Sequence, residues 1–339
     1  MEKITRGVLC LVAAMAIAAG ASVGAQAETV KVGITKLLGY AGVPIADARG
    51  YFKAEDIDVK MVEFHSATPI GMAVASGDVE FGVSGMSAAF YTLAAQGQLK
   101  IIASSSGDHP GFYNLVVVVS NKAWDAGLTS GKDMPGHDIA ITQVGTSLHY
   151  SIGLLAKRYG FPMSAVRVKP LQSNPNVVSA LRGGTVDAAV MPTSPVVPLV
   201  ANGEIHRLGY VGEITDGFSG SMLFTATKIA NENPHLVKRF LAAYRKGMRD
   251  FHDAFVGADG TRKDGPLAPT ILAIMSKFTG VSEKQLDQAV PYLDPQGRVD
   301  TADVARQIAW YKSQNLLKGD VRAEQLIDAR YAIPLMASK

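Results

Sequence analysis

Residues 57–64 (IDVKMVEF) and 165–172 (AVRVKPLQ) alternate apolar and polar side chains, the two-residue period of a half-buried strand. Two shorter runs rich in β-branched or aliphatic residues, VKVGIT (30–35) and DIAIT (138–142), also read as strands. An apolar helical segment ending near RGYF (49–52) follows the first of these, and TSLHYSIGLLAKRYGF (146–161), with Gly160 as its stop, follows the second. SATPIGMAVASG (66–77) and SNPNVVSALRGG (173–184) each set Ser or Asn before Pro and then an apolar helix, the expected start signal. Two more strands, GDVEFGVSG (77–85) and GTVDAAVMP (184–192), run into turns. LAAQGQLKII (93–102) then matches LVANGEIHRL (199–208) in type and order.

Each member of a pair lies about 106 to 109 residues from its partner. Five matches in one order predict two α/β lobes of about a hundred residues with a common topology. Alternating strands and helices require right-handed crossovers and a mostly parallel sheet. Ligands of such sheets bind beyond the carboxyl ends of the strands. Two such lobes facing each other form one cleft.

The C-terminal part departs from this plan. GSMLFTATK (220–228) predicts one more strand, and helices follow. Residues 234–255 place Val237, Phe240, Leu241, Tyr244, Met248, Phe251 and Phe255 on one face. Residues 281–290 open with Ser282 and Gln285, a capping-box pair. Residues 300–317 align Val304, Ile308, Tyr311 and Leu316. Aromatic and methionine side chains at this spacing predict core.

Composition narrows the class. Of 339 residues, 47% are hydrophobic and 19% charged, too apolar for disorder. The net charge of +3, without a basic run, gives no footprint for nucleic acid. Lys3 and Arg6, the apolar run Val8 to Ala19 and the small-x-small site Ala25-Gln26-Ala27 form a secretory signal peptide over residues 1–27. The mature chain is expected to begin near Glu28, exported to a bacterial periplasm. The single cysteine, Cys10, lies inside the signal, and Gly7 stands where a lipobox needs Leu. A lipid anchor, a disulfide and thiol chemistry are therefore not expected.

Catalytic patterns are missing. GLTSGKD (127–133) is one residue short of a phosphate-binding P-loop and has Asp133 where a magnesium-binding Ser or Thr belongs. GVSGM and GFSGS do not fit a nucleophile elbow. The seven histidines show no zinc-binding spacing, so no metal or cofactor is expected.

The loops after the strands carry the candidate binding residues. TKLLGY (35–40) offers Lys36 as a positive charge and Tyr40 as an aromatic wall, although Lys36 also reads as a solvated surface lysine. FHSATP (64–69) offers Ser66 and Thr68, which also suit capping of the helix begun by Pro69. VSGMSAAF (83–90) offers the hydroxyls of Ser84 and Ser87, with Gly85 and Met86 between them and Gly85 allowing close backbone approach. In the second half, Thr146 or Ser147 caps a helix whose first turn holds His149, a donor for an anion or a structural histidine. Met191 and Thr193 of MPTS (191–194) and the segment QSNPN (172–176) complete the rim. Phe112, Tyr113 and Phe218 lie near the crossovers and suit either an apolar ligand body or the core. Asp187 and Glu80 occupy equivalent positions and read first as junction residues. Open N–H groups at helix starts favour an anion without arginine. Hydroxyls, glycines and aromatics together suit a small organic sulfonate or carboxylate, with or without an aromatic ring, better than nitrate.

The signal peptide, the doubled β-α-β plan, ASGDVEFGVSG (75–85), GTSLHYSIGLLAKRYGF (145–161) and IAWYKSQNLL (308–317) together resemble the periplasmic substrate-binding proteins of ABC importers, in their nitrate/sulfonate/taurine branch. The resemblance spans essentially the whole mature chain and rests on the order of these segments. It implies a two-lobed type II periplasmic binding fold with a hinge of two crossing strands and extra C-terminal helices. Lobe 1 would comprise residues 28–113 and 220–339, and lobe 2 residues 114–219, with the crossing strands near 112–120 and 220–228. It further implies a monomer that hands its ligand to a membrane permease and ATPase and performs no chemistry. Two rival readings are a periplasmic ligand sensor and an enzyme like the thiamine-pyrimidine synthases, which share the fold but carry a cysteine-rich motif that this chain lacks.

Overall fold

The computed structural model describes residues 27–213, 218 and 220–335. Residues 1–26, which hold nearly all of the expected export signal, lie outside the described residues.

Twelve strands are described: β1 (Glu28–Ile34), β2 (Ile57–Glu63), β3 (Phe81–Ser84), β4 (Leu99–Ser104), β5 (Ser106–Gly107), β6 (Leu115–Ser120), β7 (Asp138–Ile141), β8 (Arg167–Pro170), β9 (Ala188–Pro192), β10 (Ile205–Tyr210), β11 (Met222–Ala226) and β12 (Tyr292–Leu293). They form one sheet in the order β2-β1-β3-β11-β4, a second in the order β10-β6-β9-β7-β8, and a β5–β12 pair. Reading the second sheet backwards, β8-β7-β9-β6-β10, gives the first sheet's plan strand for strand. In both sheets four strands run in one direction, and the fourth position is taken by the single antiparallel strand, β11 or β6, which comes from a crossover. The paired segments of the sequence therefore occupy equivalent places.

The equivalence reaches individual residues. Glu80, just before β3, accepts a hydrogen bond from the Lys31 N–H (2.7 Å), and its own N–H donates to the Lys31 carbonyl. Asp187, just before β9, accepts from the Asp138 N–H (2.8 Å) and returns its N–H to the Asp138 carbonyl. Each acid ties the start of its strand to the neighbouring parallel strand. Gly77 (φ 84°) and Gly184 (φ 61°) precede them in the left-handed conformation that lets a helix turn back into a strand.

The C-terminal helices cover the first sheet. Helix Pro234–Phe255 buries all seven residues of its predicted apolar face. Phe240 stacks on Phe81 of β3 with ring centres 3.9 Å apart and touches Phe52. Full burial of each such ring stabilises by roughly 2–3 kcal/mol. The helix crosses helix Gly42–Ala48 closely, and a Cβ on Gly247 would lie 2.3 Å from the Gly42 carbonyl oxygen. One expectation needs correction. Residues 281–290 form only the short helix Glu283–Asp287, and the Ser282 hydroxyl bonds the Gln285 side chain instead of capping the backbone. Segment 127–133 holds a capped 3₁₀ turn in which Asp133 accepts from the Ser130 N–H (2.8 Å).

Candidate ligand-binding site

The loops beyond the carboxyl ends of β1, β2 and β3 meet those beyond β7, β8 and β9 around one cavity. The first sheet contributes Thr35, Leu37, Leu38, Gly39 and Tyr40 after β1, Ser66 and Ala67 after β2, Gly85 after β3, and Gly220 and Ser221 before β11. From the second come Tyr113, Asn114 and Leu115 at the start of β6, Thr142, Thr146, Ser147 and Leu148 after β7, Asn174 after β8, and Pro192, Thr193 and Ser194 at the end of β9. Ala289 and Pro291 close it from the C-terminal region. The cavity has a volume of about 50 Å³.

Direct contacts close the two loop sets over it. The Leu38 N–H donates to the Ser194 hydroxyl (3.3 Å). The Ala88 N–H donates to the Gly145 carbonyl (2.8 Å), beside a bridge between Ser87 and Thr146. Gly85 allows this approach, because a Cβ there would lie 2.4 Å from the Ser147 hydroxyl.

Among the described residues no ionised side chain lines the cavity. Its polarity comes from hydroxyls, amides and helix-start N–H groups. Helix Ser147–Tyr159 begins after Thr146, whose hydroxyl donates back to the Gln143 carbonyl (2.8 Å) and makes no side-chain cap. Helix Ala67–Ser76 follows Ser66, which likewise makes no side-chain cap. The first N–H groups of both helices therefore lack intrahelical partners and lie at the positive ends of the helix dipoles. The Tyr40 hydroxyl accepts the Gly85 N–H (3.1 Å) and keeps its own proton for a ligand. Burial pushes this phenol up to about 12, against a smaller opposing effect of the Gly85 N–H, so it stays neutral and donating. Asn174 Oδ1 and Thr193 Oγ1 are buried without a hydrogen-bond partner. A buried polar atom left unmatched costs about 1–3 kcal/mol, a cost that a bound ligand can relieve.

Of the residues predicted from sequence, Tyr40, Ser66, Gly85, Tyr113, Thr146, Ser147 and Thr193 line this cavity. The structure places the others elsewhere. Lys36 pairs with Glu63 (2.8 Å) at the surface. Thr68 and Ser87 line a shallower depression with Gln143, Val144 and Gln172, and Ser87 caps the Phe90 N–H. The Ser84 hydroxyl donates to the Gly85 carbonyl (3.1 Å). Met86 and Met191 are fully buried in apolar clusters. The His149 ring accepts the Gly145 N–H at Nδ1 (3.2 Å) and stands edge-on to Trp310. Burial pulls its pKa down to about 4, which leaves the ring neutral near pH 7. Phe112 is buried against Tyr292, and Phe218 packs near Tyr150.

Thr35, Asn114, Thr142, Asn174, Ser194 and Ser221 escaped the residue-level reading. Asn114 is the clearest omission. Its Oδ1 accepts the Ser106 hydroxyl (3.1 Å), and Ser106 also bonds Ser221 (2.8 Å), so this network joins the two crossovers at the cavity floor. The available signal was its position at the start of β6, where the chain passes from one sheet to the other.

A profile of the NMT1/THI5-like family matches residues 39–254. The chain belongs to that family. It is 26% identical over 253 residues to the putative aliphatic sulfonates-binding protein of Bacillus subtilis, covering 72% of this chain and 73% of that protein. It is 25% identical over 291 residues to the taurine-binding periplasmic protein of Escherichia coli, covering 83% of each. Among solved structures, the alkanesulfonate-binding protein SsuA of Xanthomonas axonopodis pv. citri, bound to MOPS, superposes with a TM-score of 0.72 at 17% identity, over 90% of this chain and 99% of that one. The nitrate-binding protein NrtA of Synechocystis does so with 0.70 at 13% identity, over 87% and 83%. The fold is the two-lobed periplasmic binding fold. Among the described residues no helix is long and apolar enough to cross a membrane, and no cluster of three His, Cys, Asp or Glu has the arrangement of a metal site.

Proposed function

We propose that this protein is the solute-binding component of an ABC importer and captures a small organic anion, a sulfonate or carboxylate, between its two sheets. The supporting observation is the cavity itself: both sheets contribute to it, no charged side chain among the described residues lines it, and two uncapped helix starts contribute to its wall. Such a site stabilises an anion with N–H and O–H donors. Among the described residues its lining has no carboxylate to repel the anion. The names of the relatives agree with this ligand class.

In this reading residues 28–113 with 220–339 form one lobe and residues 114–219 the other. The crossovers into β6 and β11 flex as the lobes close. The N-terminal signal directs a monomer to the periplasm, where the closed form docks on a permease with its ATPase. Micromolar affinity requires only about 8 kcal/mol, within reach of a few charge-assisted hydrogen bonds from the cavity wall.

The test is a thermal-shift and calorimetric screen of the mature protein with alkane- and arenesulfonates, carboxylates and nitrate. A sulfonate or carboxylate should raise the melting temperature, bind one to one and be recovered unchanged. Chemical conversion of the bound compound, or stabilisation by nitrate alone, would overturn the reading.

A further inference from the structure

A second cavity lies directly behind the first. It offers about 90 Å³ to water-sized spheres, and its walls include Val116, Val196, Val197, Val200, Tyr210 and Thr193. Thr193 lines both cavities. Tyr113, in the wall of the first, stacks on Tyr210 of the second with ring centres 3.9 Å apart and planes 16° apart. Thr193 and this pair of stacked rings thus stand between the two spaces. Four valines and an aromatic face make up most of its wall, and Arg207 and Gln288 also lie on it. Arg207 donates to the Tyr210 hydroxyl (2.9 Å) and lies 4.9 Å from that ring's centre, which holds its guanidinium against the ring.

We infer that the second cavity is an annexe for the apolar tail of the ligand and sets the protein's preference among organic acids. The inference rests on the importer reading above and adds the ligand's shape: an anionic head among the helix starts, and a tail that passes Thr193 into the valine-lined space. The buried, unpartnered Thr193 hydroxyl is placed to donate to the head where the tail leaves it. The preferred compound has a compact anionic head and an apolar tail, aliphatic or a single ring. A short head-only acid leaves the annexe empty.

Calorimetry with ethane-, butane-, hexane- and benzenesulfonate decides the matter. Wild-type affinity should tighten by roughly twofold to fourfold per methylene up to butane- or hexanesulfonate, the increment expected for carbon leaving water. The substitution Val200→Phe should reduce the ratio of hexane- to ethanesulfonate affinity to near one. Ala201→Phe, at the exposed end of the annexe, should lower the same ratio if Val200→Phe does not fold. Wild-type affinity independent of tail length, or a ratio that survives a folded filling variant, would overturn the annexe while leaving the importer reading intact. Failure of every sulfonate to bind, with carboxylates of the same tail lengths also failing, would remove both.

Discussion

At Thr193 a hydroxyl has been buried with nothing to bond. Its side chain is almost inaccessible, and its Oγ1 lacks a partner, while its backbone N–H is satisfied by the Asn114 carbonyl (3.0 Å). Valine has the same shape without the polar atom. Thr193→Val should therefore raise the unfolding free energy of the ligand-free protein by about 1 kcal/mol and weaken ligand binding about tenfold, as expected for one lost hydrogen bond to a charged group. Denaturant unfolding and calorimetry measure the two effects separately. A loss of stability with unchanged affinity would show the hydroxyl to be structural.

Among the elements, the decisive contact is between the turn after β3 and the start of helix Ser147–Tyr159. Gly85 has no side chain where one would collide with Ser147 and approach the Gly220 carbonyl at 3.3 Å. Gly85→Ala therefore opposes closure more than folding, since it lies at the contact between two loop sets and not inside either sheet. The expected outcome is at least a tenfold loss of ligand affinity with a melting temperature within a few degrees of wild type. An unaltered dissociation constant would place the closing contact elsewhere.

For the whole molecule, the crossovers converge on Asp108. Its N–H donates to the Phe218 carbonyl (2.9 Å), its Oδ1 accepts the Asn114 N–H (3.3 Å), and its Oδ2 is buried without a partner. Burial raises this carboxyl from 3.8 to about 7, and the hydrogen bonds from the Asn114 and Leu115 backbone only partly oppose it. Between those values the folded state holds a proton that the unfolded state releases. Stability is therefore fully present below about pH 4 and lost as pH rises to 7. Asp108→Asn removes the titration. The variant's stability advantage over wild type should widen from pH 4 to pH 7, reach a few kcal/mol (at most about 4 by linkage) and then stay constant. Urea unfolding of both proteins across pH 4–8 gives the difference directly, and a flat difference would mean that the carboxylate is compensated in solution.

The doubled plan was readable because it is carried by local physics. Period-two strands, Pro-led helices and left-handed glycines each leave a mark within ten residues, so the pairing of segments 77–85 and 184–192 predicted equivalent strands before any contact was known. The face of helix Pro234–Phe255 was legible for the same reason. About half of the proposed binding residues reached the cavity, and most of those lie in the loops and helix starts beyond the strands, while Ser84 and Met191, inside strands, do not line it. Lys36 and His149 illustrate the limit: their chemistry suggested an anion, but the partners that occupy them, Glu63 and Gly145, are chosen by side-chain rotamers that no local pattern encodes.

Along the chain alone, residue type and spacing were enough for two α/β units and a neutral, hydroxyl-rich rim, because hydrogen-bonded backbone and apolar periodicity act over short distances. Which rim atoms are left unmatched was settled only by folding. Asn174 and Thr193 come from separate segments, and their grouping depends on how the strands of the second sheet pack. The annexe has the same origin. Its valines come from β6 and from the segment after β9, and they meet beside the Tyr113–Tyr210 stack only in the folded chain.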